Sequence, residues 1–153
     1  MCNLPIPIDN DERIVRVILC PVHLKRGKLK AAAFRSRVGT DDLSTIRHSF
    51  KGSNFCKHQG VRLGAASGTQ QYVGLAVILA ESIRAAGSQV ADSREVYCGH
   101  AHISHGIVLP ANDPPSAEDA LRLTERCKAL IEHTNFFPDQ SIDAASWTGP
   151  EIS

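Results

Sequence analysis

The pattern of apolar and polar positions predicts a compact domain that begins after about residue 12. Residues 13–20 are rich in β-branched side chains and end at Pro21, as is typical of a strand. Their apolar side chains fall on both faces, which indicates a central strand. Arg16 interrupts that apolar run, so we expect it at a strand edge or directed into a site.

Helical spacing appears twice further along the chain. Val73, Val77, Ala80 and Ile83 recur at intervals of three or four, and this spacing predicts a helix over about 70–86. Ser116 is a good N-cap for a second helix over about 116–133, whose first turn is acidic. Residues 43–50, 60–66 and 95–109 have the composition of strands interrupted by glycine turns.

Together these elements predict an α+β fold with a single mixed or antiparallel sheet of about four to six strands. The two main helices, about 70–86 and 116–133, are expected on one face of that sheet. The domain is expected to span 13–138, after a flexible N-terminal arm, 1–12, and before a polar C-terminal tail, 139–153. A chain of 153 residues with 42% apolar residues can bury one core.

Composition indicates a cytoplasmic protein that does not associate with membranes. No stretch approaches the roughly 18 consecutive apolar residues of a spanning helix, and the N-terminus lacks a basic region followed by an apolar one. The five cysteines are odd in number and scattered, which favours reduced thiols over a disulfide framework. A homo-oligomer is compatible with the sequence.

Charge is divided unevenly along the chain. Residues 1–62 carry 12 Lys and Arg against 5 Asp and Glu, whereas residues 63–153 carry 5 against 11. The basic residues concentrate in 23–37, which could contact nucleic acid or an acidic protein. The alternative is a solvated surface neutralised by the acidic half of the same fold. The residues expected to hold phosphate are Lys25, Arg26, Lys28, Lys30 and Arg35.

Residues 98–105 concentrate the chemistry of the chain, with a thiol, three imidazoles and a hydroxyl. On a strand, alternation would place His100 and His102 on one face and His105 opposite or past a bend. One interpretation is a zinc site in which two Cys-x-His pairs close a tetrahedron, since thiolate and imidazole are preferred zinc ligands. Its ligands would be Cys56, His58, Cys98 and His100. The alternatives are structural histidines, with no cofactor, and acid–base chemistry.

The acid–base interpretation assembles one site from three predicted strands. An arginine would clamp an anion while a histidine moves a proton. The candidate catalytic residues are Arg16, Ser44, His100 and His102. Phosphate-loop, dinucleotide-binding, nucleophile-elbow and deaminase signatures do not occur, which disfavours the common cofactor classes.

Several short segments follow one another in a characteristic order. They are Arg16 on a strand, Ala33-Phe34-Arg35, Leu43-Ser44, Gly60-Val61 and His100-Ala-His-Ile103. In this order the chain resembles a group of small uncharacterised bacterial single-domain proteins over roughly residues 13–133. The resemblance implies a bacterial origin and a compact α+β fold, and it implies no activity.

Two classes of function follow from these observations. The first is a small enzyme, a phosphoester hydrolase or a nucleotide- or nucleic-acid-binding protein, that uses the histidines of 98–105. The second is a non-catalytic binding or adaptor protein, with a basic docking surface and structural histidines.

Overall fold

A six-stranded antiparallel sheet forms the centre of the protein, in a computed structural model that describes residues 1–152. The strands of this sheet are β1 (Arg13–Cys20), β4 (Leu43–Arg47), β5 (Gln71–Leu79), β6 (Gln89–Asp92), β7 (His100–Ser104) and β8 (Asn135–Pro138). Their order is β6-β7-β4-β1-β5-β8. The predicted α+β fold with a single main sheet is therefore confirmed.

The remaining elements are three helices, one 3₁₀ turn and a small hairpin. They are β2 (Leu24–Lys25), β3 (Lys28–Leu29), the 3₁₀ turn Ala31–Phe34, α1 (His48–Ser67), α2 (Ala80–Ala85) and α3 (Ala117–Glu132). Strands β2 and β3 pair with each other and lie outside the main sheet. No helix within residues 1–152 is long and apolar enough to cross a membrane.

The central strand β1 pairs very differently with its two neighbours. It pairs with β5 along its whole length, from Arg13 opposite Leu79 to Cys20 opposite Gln71. Its pairing with β4 is confined to Ile14 opposite Arg47 and Val15 opposite Ile46. Beyond that point β1 and β4 diverge, and the sheet is open between them.

Side chains alternate between the two faces of the sheet along each strand, and helices cover both faces. Ile14 and Ile18 belong to the core that includes Leu123 and Leu130 of α3 and Ile83 of α2. On the other face, Val15, Val17 and Val77 pack with Cys56 of α1. Helices α2 and α3 thus share one face, and α1 covers the opposite face.

Helix α3 matches its sequence prediction closely, whereas the helix predicted over 70–86 is wrong. Ser116 caps α3 by accepting a hydrogen bond from the Asp119 backbone N–H at 3.1 Å. Residues 71–79 form strand β5, and only the short helix α2 follows. Strand β5 lies between β1 and β8 and is buried on both faces. Such a strand reads as a continuous apolar run, which periodicity does not separate from a buried helix.

Helix α1 occupies residues whose glycines predicted turns and a weak strand at 60–66. A Cβ atom at Gly60 would lie 2.4 Å from the Tyr72 ring, and one at Gly64 would lie 2.9 Å from the Tyr72 backbone nitrogen. These glycines therefore allow α1 to approach β5 closely. Gly52 has a φ of 78° and interrupts the helix near its start, as glycine readily does.

The segment before β1, predicted as a flexible arm, is held against the sheet by side-chain and main-chain bonds. The buried Arg47 guanidinium pairs with Glu12 at 2.6 Å and Asp92 at 2.7 Å, and it also donates to the carbonyl oxygens of Pro5 and Pro7. A disulfide joins Cys2 to Cys98. The prediction that all thiols are reduced is wrong for this pair.

The C-terminal segment 139–152 is anchored to α1 in a similar way. Lys57 of α1 is buried and pairs with Asp139 at 3.0 Å, while its ammonium donates to the carbonyl oxygens of Ser141 and Ser146. Tyr72 donates to the same carboxylate at 2.9 Å. The polar tail therefore completes the packing of the α1 face.

Candidate functional site

A cleft of about 770 Å³ opens where β1 and β4 diverge, between α1 and the segment that follows the 3₁₀ turn. Its floor consists of strand residues of β1 and β4, one wall is α1, and the other wall is the segment that leads into β7. The floor and wall residues include Val17, Leu19, Ser44, Tyr97 and His100. The cleft is therefore a product of the sheet geometry.

One face of α1 lines this cleft over several turns. Phe55, Gln59 and Arg62 recur at intervals of four and three residues, which places them on the same side of the helix, and Lys51, before the interruption at Gly52, joins them in the cleft lining. The Lys51 ammonium lies 4.5 Å from the centre of the Phe55 ring. A Cβ atom at Gly99 would lie 2.4 Å from Cγ of Lys51, so Gly99 leaves room for the lysine stem.

Arg16 spans the opening between β1 and β4. Its Nε donates to the Ala33 carbonyl oxygen at 2.9 Å, and its Nη1 donates to the Ser44 carbonyl oxygen at 3.1 Å. Burial lowers the pKa of Arg16 to about 10, so the guanidinium still carries its charge at neutral pH. Within residues 1–152 it pairs with no carboxylate.

The cleft as a whole is strongly cationic. Its charged lining comprises one carboxylate, Asp42, and five cations: Arg16, Arg35, Arg37, Lys51 and Arg62. None of these cations forms an ion pair with a carboxylate in the part of the chain that the structure describes. Unpaired cations gathered in a concave site attract anions.

His23 contributes no charge to this site at neutral pH. Burial, followed by the nearby charges of Arg16 and Lys30, lowers the pKa of His23 to about 3. Its Nδ1 accepts a hydrogen bond from the Leu19 backbone N–H at 3.0 Å. This neutral imidazole acts as a fixed acceptor that shapes the end of β1.

His100 is the buried imidazole of the cleft. Its Nδ1 lies 2.6 Å from Oγ of Ser93, so Nε2 is the nitrogen left for a ligand. Burial, with a smaller effect from His102, lowers the pKa of His100 to about 4. At neutral pH the ring is therefore uncharged and can accept a proton.

His102 and Ser44 lie directly beside this position. His102 stands opposite Ser44 in the pairing of β7 with β4. The His100 and His102 rings are 4.8 Å apart between centroids and nearly perpendicular. The predicted placement of both imidazoles on one face of a strand is thus confirmed. Of the four candidate catalytic residues, Arg16, Ser44 and His100 line the cleft, and His102 borders it.

His105 lies apart from the cleft and has a structural role. Its Nε2 donates to the Phe34 carbonyl oxygen at 2.7 Å, and its Nδ1 lies 2.8 Å from Oγ of Ser88. Both ring nitrogens are satisfied on the α3 face of the sheet. The imidazole ties the end of β7 to the 3₁₀ turn.

The basic run of 23–37 divides between two places. Arg35 lines the cleft, as does Arg37, the next basic residue. The other four residues expected to hold phosphate lie on or beside the β2–β3 hairpin, are exposed and do not line the cleft: Lys25, Arg26, Lys28 and Lys30. Of the residues predicted to hold phosphate, one thus lines the cleft and four lie on the surface, while Arg16, predicted separately as a catalytic residue, is a second cleft cation.

The proposed zinc ligands do not come together. Cys98 is bonded to Cys2, Cys56 is buried under α1, and His58 Nε2 lies 2.9 Å from the Ala145 carbonyl oxygen. Among residues 1–152 there is no group of three or more His, Cys, Asp or Glu side chains placed to hold a metal ion. The Cys56, His58, Cys98, His100 tetrahedron is therefore wrong.

Besides Tyr97, the sequence reasoning missed the five cleft residues of α1: Lys51, Phe55, Gln59, Arg62 and Leu63. Their common signal is the helical spacing of polar and aromatic side chains along α1. That signal can be recognised once Gly60 and Gly64 are interpreted as close-packing positions rather than turns.

The chain matches no protein-family model, no curated protein and no solved structure.

Proposed function

We propose that the protein binds phosphate esters in the cationic cleft and hydrolyses them with His100 as the proton acceptor. The observation that carries this proposal is the set of five cations that line one cleft without a carboxylate partner. Arg16 supports it further, because a part-buried guanidinium without a counter-ion gains most from a bound anion. Phosphate offers that guanidinium several acceptor oxygens.

The proposed reaction uses the free nitrogen of His100. Nε2 takes a proton from a water molecule as the water oxygen attacks phosphorus and the bond to the leaving oxygen breaks. A pKa of about 4 makes His100 a weak base in the empty cleft. A phosphate anion beside the ring raises that pKa, since an opposite charge stabilises the imidazolium.

His102 is the second member of this proton-transfer pair. The charge of His102 is one of the causes that lower the pKa of His100. Ser93 fixes the orientation of His100 through Nδ1, which keeps Nε2 directed at the ligand.

Binding is tested by calorimetric titration of the full chain with inorganic phosphate and pyrophosphate. Arg37→Gln and Lys51→Gln should each weaken binding by roughly tenfold, as expected for loss of one charge-assisted contact. Lys28→Gln removes a cation of the hairpin and serves as the matched control. Equal effects of all three variants, or no binding of either anion, would contradict the proposal.

Catalysis is tested with bis(p-nitrophenyl) phosphate, an activated phosphodiester. His100→Ala should lower the rate by roughly 10²- to 10⁴-fold, the usual contribution of a positioned acid or base. His133→Gln, an exposed histidine after α3, is the control. If the wild-type protein bound phosphate but did not hydrolyse the diester, the proposed hydrolase activity would be contradicted and only phosphate binding would stand.

The exposed hairpin supports a second proposal, a non-catalytic adaptor for a polyanion. Its cations, Lys25, Arg26, Lys28 and Lys30, form no ion pair within residues 1–152. If four of them contact duplex DNA, the log–log slope of affinity against salt should be roughly −3 to −4. Charge reversal of these four residues should abolish such binding and leave phosphate binding in the cleft unchanged.

A further inference from the structure

The cleft has an aromatic and apolar part in addition to its cations. Phe55 and Tyr97 both line it, with ring centroids 5.7 Å apart and a tilt of 58°. Both side chains are partly exposed, and Val96 and Leu63 beside them are 54% and 43% exposed. A phosphate ion would leave this surface uncovered. Apolar surface of this kind beside polar groups marks a ligand site.

The aromatic part also presents hydrogen-bond donors of fixed direction. Arg62 Nη2 donates to Oε1 of Gln59 at 2.7 Å. Because a guanidinium only donates, this bond sets the orientation of the amide and leaves its NH₂ group for a ligand. The ligand should therefore carry an acceptor on the edge of its ring.

The aromatic and cationic parts meet at Lys51. Its ammonium lies over the Phe55 ring at 4.5 Å, and Arg16, Arg35 and Arg37 line the side of the cleft built from β1 and the segment after the 3₁₀ turn. The cleft volume of about 770 Å³ falls in the range of ligand sites and has room for a nucleobase and its sugar beside a phosphate.

We infer that the ligand of the cleft is a nucleotide, with its base on Phe55 and Tyr97, a base acceptor on Gln59 and its phosphate on the arginines. This inference rests on the proposed binding of phosphate esters and specifies the group that the phosphate carries. Stacking on aromatic side chains tolerates every base, since each base has a π face. The Gln59 donor likewise finds an acceptor on each of the four bases.

The test compares four probes by calorimetric titration: AMP, ribose 5-phosphate, phenyl phosphate and inorganic phosphate. AMP should bind roughly 5- to 100-fold more tightly than ribose 5-phosphate, the range expected for one stacked base. Phenyl phosphate should fall between them, because it supplies a ring without an edge acceptor. Equal affinity for AMP and ribose 5-phosphate would overturn the nucleotide inference and leave phosphate binding intact.

Substitutions test whether the preference for AMP over ribose 5-phosphate depends on Phe55, Tyr97 and Gln59. Phe55→Leu and Tyr97→Leu should each reduce the affinity for AMP at least fivefold and leave ribose 5-phosphate within twofold, whereas Gln59→Leu should bring AMP close to phenyl phosphate. Phe50→Leu replaces an exposed aromatic residue outside the cleft and is the control. Thermal melting confirms that each variant is folded. Unchanged AMP affinity in the folded Phe55 and Tyr97 variants overturns the inference, and failure of all four probes to bind overturns the proposed function with it.

Discussion

The Arg16 guanidinium donates to the Ser44 carbonyl oxygen at 3.1 Å, across the point where β1 and β4 cease to pair. One side chain thereby connects two strands that no longer share backbone hydrogen bonds. The same guanidinium holds the 3₁₀ turn through the Ala33 carbonyl oxygen. Arg16 thus bridges the opening of the sheet and also supplies one of the five cations of the cleft.

Arg16→Lys should separate the charge of this residue from its geometry. A lysine keeps the charge but cannot reproduce the planar fork that reaches two carbonyl oxygens and an anion together. We expect phosphate affinity to fall roughly 10- to 100-fold, as for loss of a hydrogen bond to a charged group. Calorimetric titration measures this change, and Arg84→Lys, outside the cleft, is the control. A Kd for phosphate unchanged by Arg16→Lys would show that Arg16 does not contact the anion.

The lowered pKa of His100 should make the stability of the protein fall as the pH drops into the mildly acidic range. Its pKa is about 4 in the folded protein and about 6.5 in the unfolded chain. The unfolded state therefore binds more protons between these values, and stability declines as pH falls through this window. The decline should approach about 1.4 kcal/mol for each pH unit.

Urea titrations of wild type and His100→Asn at pH 7, 6, 5 and 4.5 measure this contribution as the difference between the two proteins. His23 titrates alike in both and cancels from that difference. Parallel stability profiles for the two proteins would mean that His100 keeps an ordinary pKa when folded.

Gly60→Ala should destabilise the protein although alanine is the better helix former. Helix propensity alone predicts a gain of about 0.5–1 kcal/mol. The new Cβ would lie 2.4 Å from the Tyr72 ring, which is buried and held by Asp139. Overpacking of this kind costs about 1–3 kcal/mol. The sign of the change in a urea titration decides between the two effects.

Lys57→Met should be among the most damaging substitutions on the α1 face. It removes the cation from Asp139 and the donor from two carbonyl oxygens of the C-terminal segment. Breaking a buried pair by removing one partner costs about 3–5 kcal/mol. A loss below 1 kcal/mol in chemical denaturation would indicate that the Asp139 carboxylate is satisfied without Lys57.

The disulfide predicts a definite thiol count. The chain has five cysteines, and Cys2–Cys98 leaves Cys20, Cys56 and Cys127 free. Titration of denatured, unreduced protein should find three thiols, and reduction should raise the number to five. Cys2→Ser should lower the unfolding free energy by about 2–4 kcal/mol, with Cys20→Ser as the control. Five thiols before reduction would contradict the crosslink.

The elements that could be predicted from the sequence are those whose signals lie within a short stretch of the chain. Helix α3 was predictable because Ser116, its acidic first turn and its apolar stripe lie within 18 residues. Strand β1 was predictable from its β-branched composition. The composition of residues 43–50 likewise predicted a strand, which made Arg16 and Ser44 candidates for one site, but only the structure shows that they lie together.

The remainder depends on contacts between distant residues. Residues 71–79 form a strand because β1 and β8 pair with them on both sides. Helix α1 packs where it does because its glycines leave room for Tyr72. Since α1 supplies five cleft residues, missing that helix also concealed Phe55 and Gln59 as site residues. Cys2 and Cys98 are 96 positions apart, and no spacing rule joins them.

The prolines of the N-terminal segment have a meaning that composition alone obscures. A proline has no backbone N–H, so Pro5 and Pro7 offer their surroundings only acceptors. The Arg47 guanidinium offers only donors, and it takes both of these carbonyl oxygens. A proline-rich segment usually indicates a flexible loop, but here its carbonyl oxygens accept hydrogen bonds from the buried Arg47. Because these bonds end on main-chain oxygens, they depend on the path of the segment rather than on the side chains that it carries.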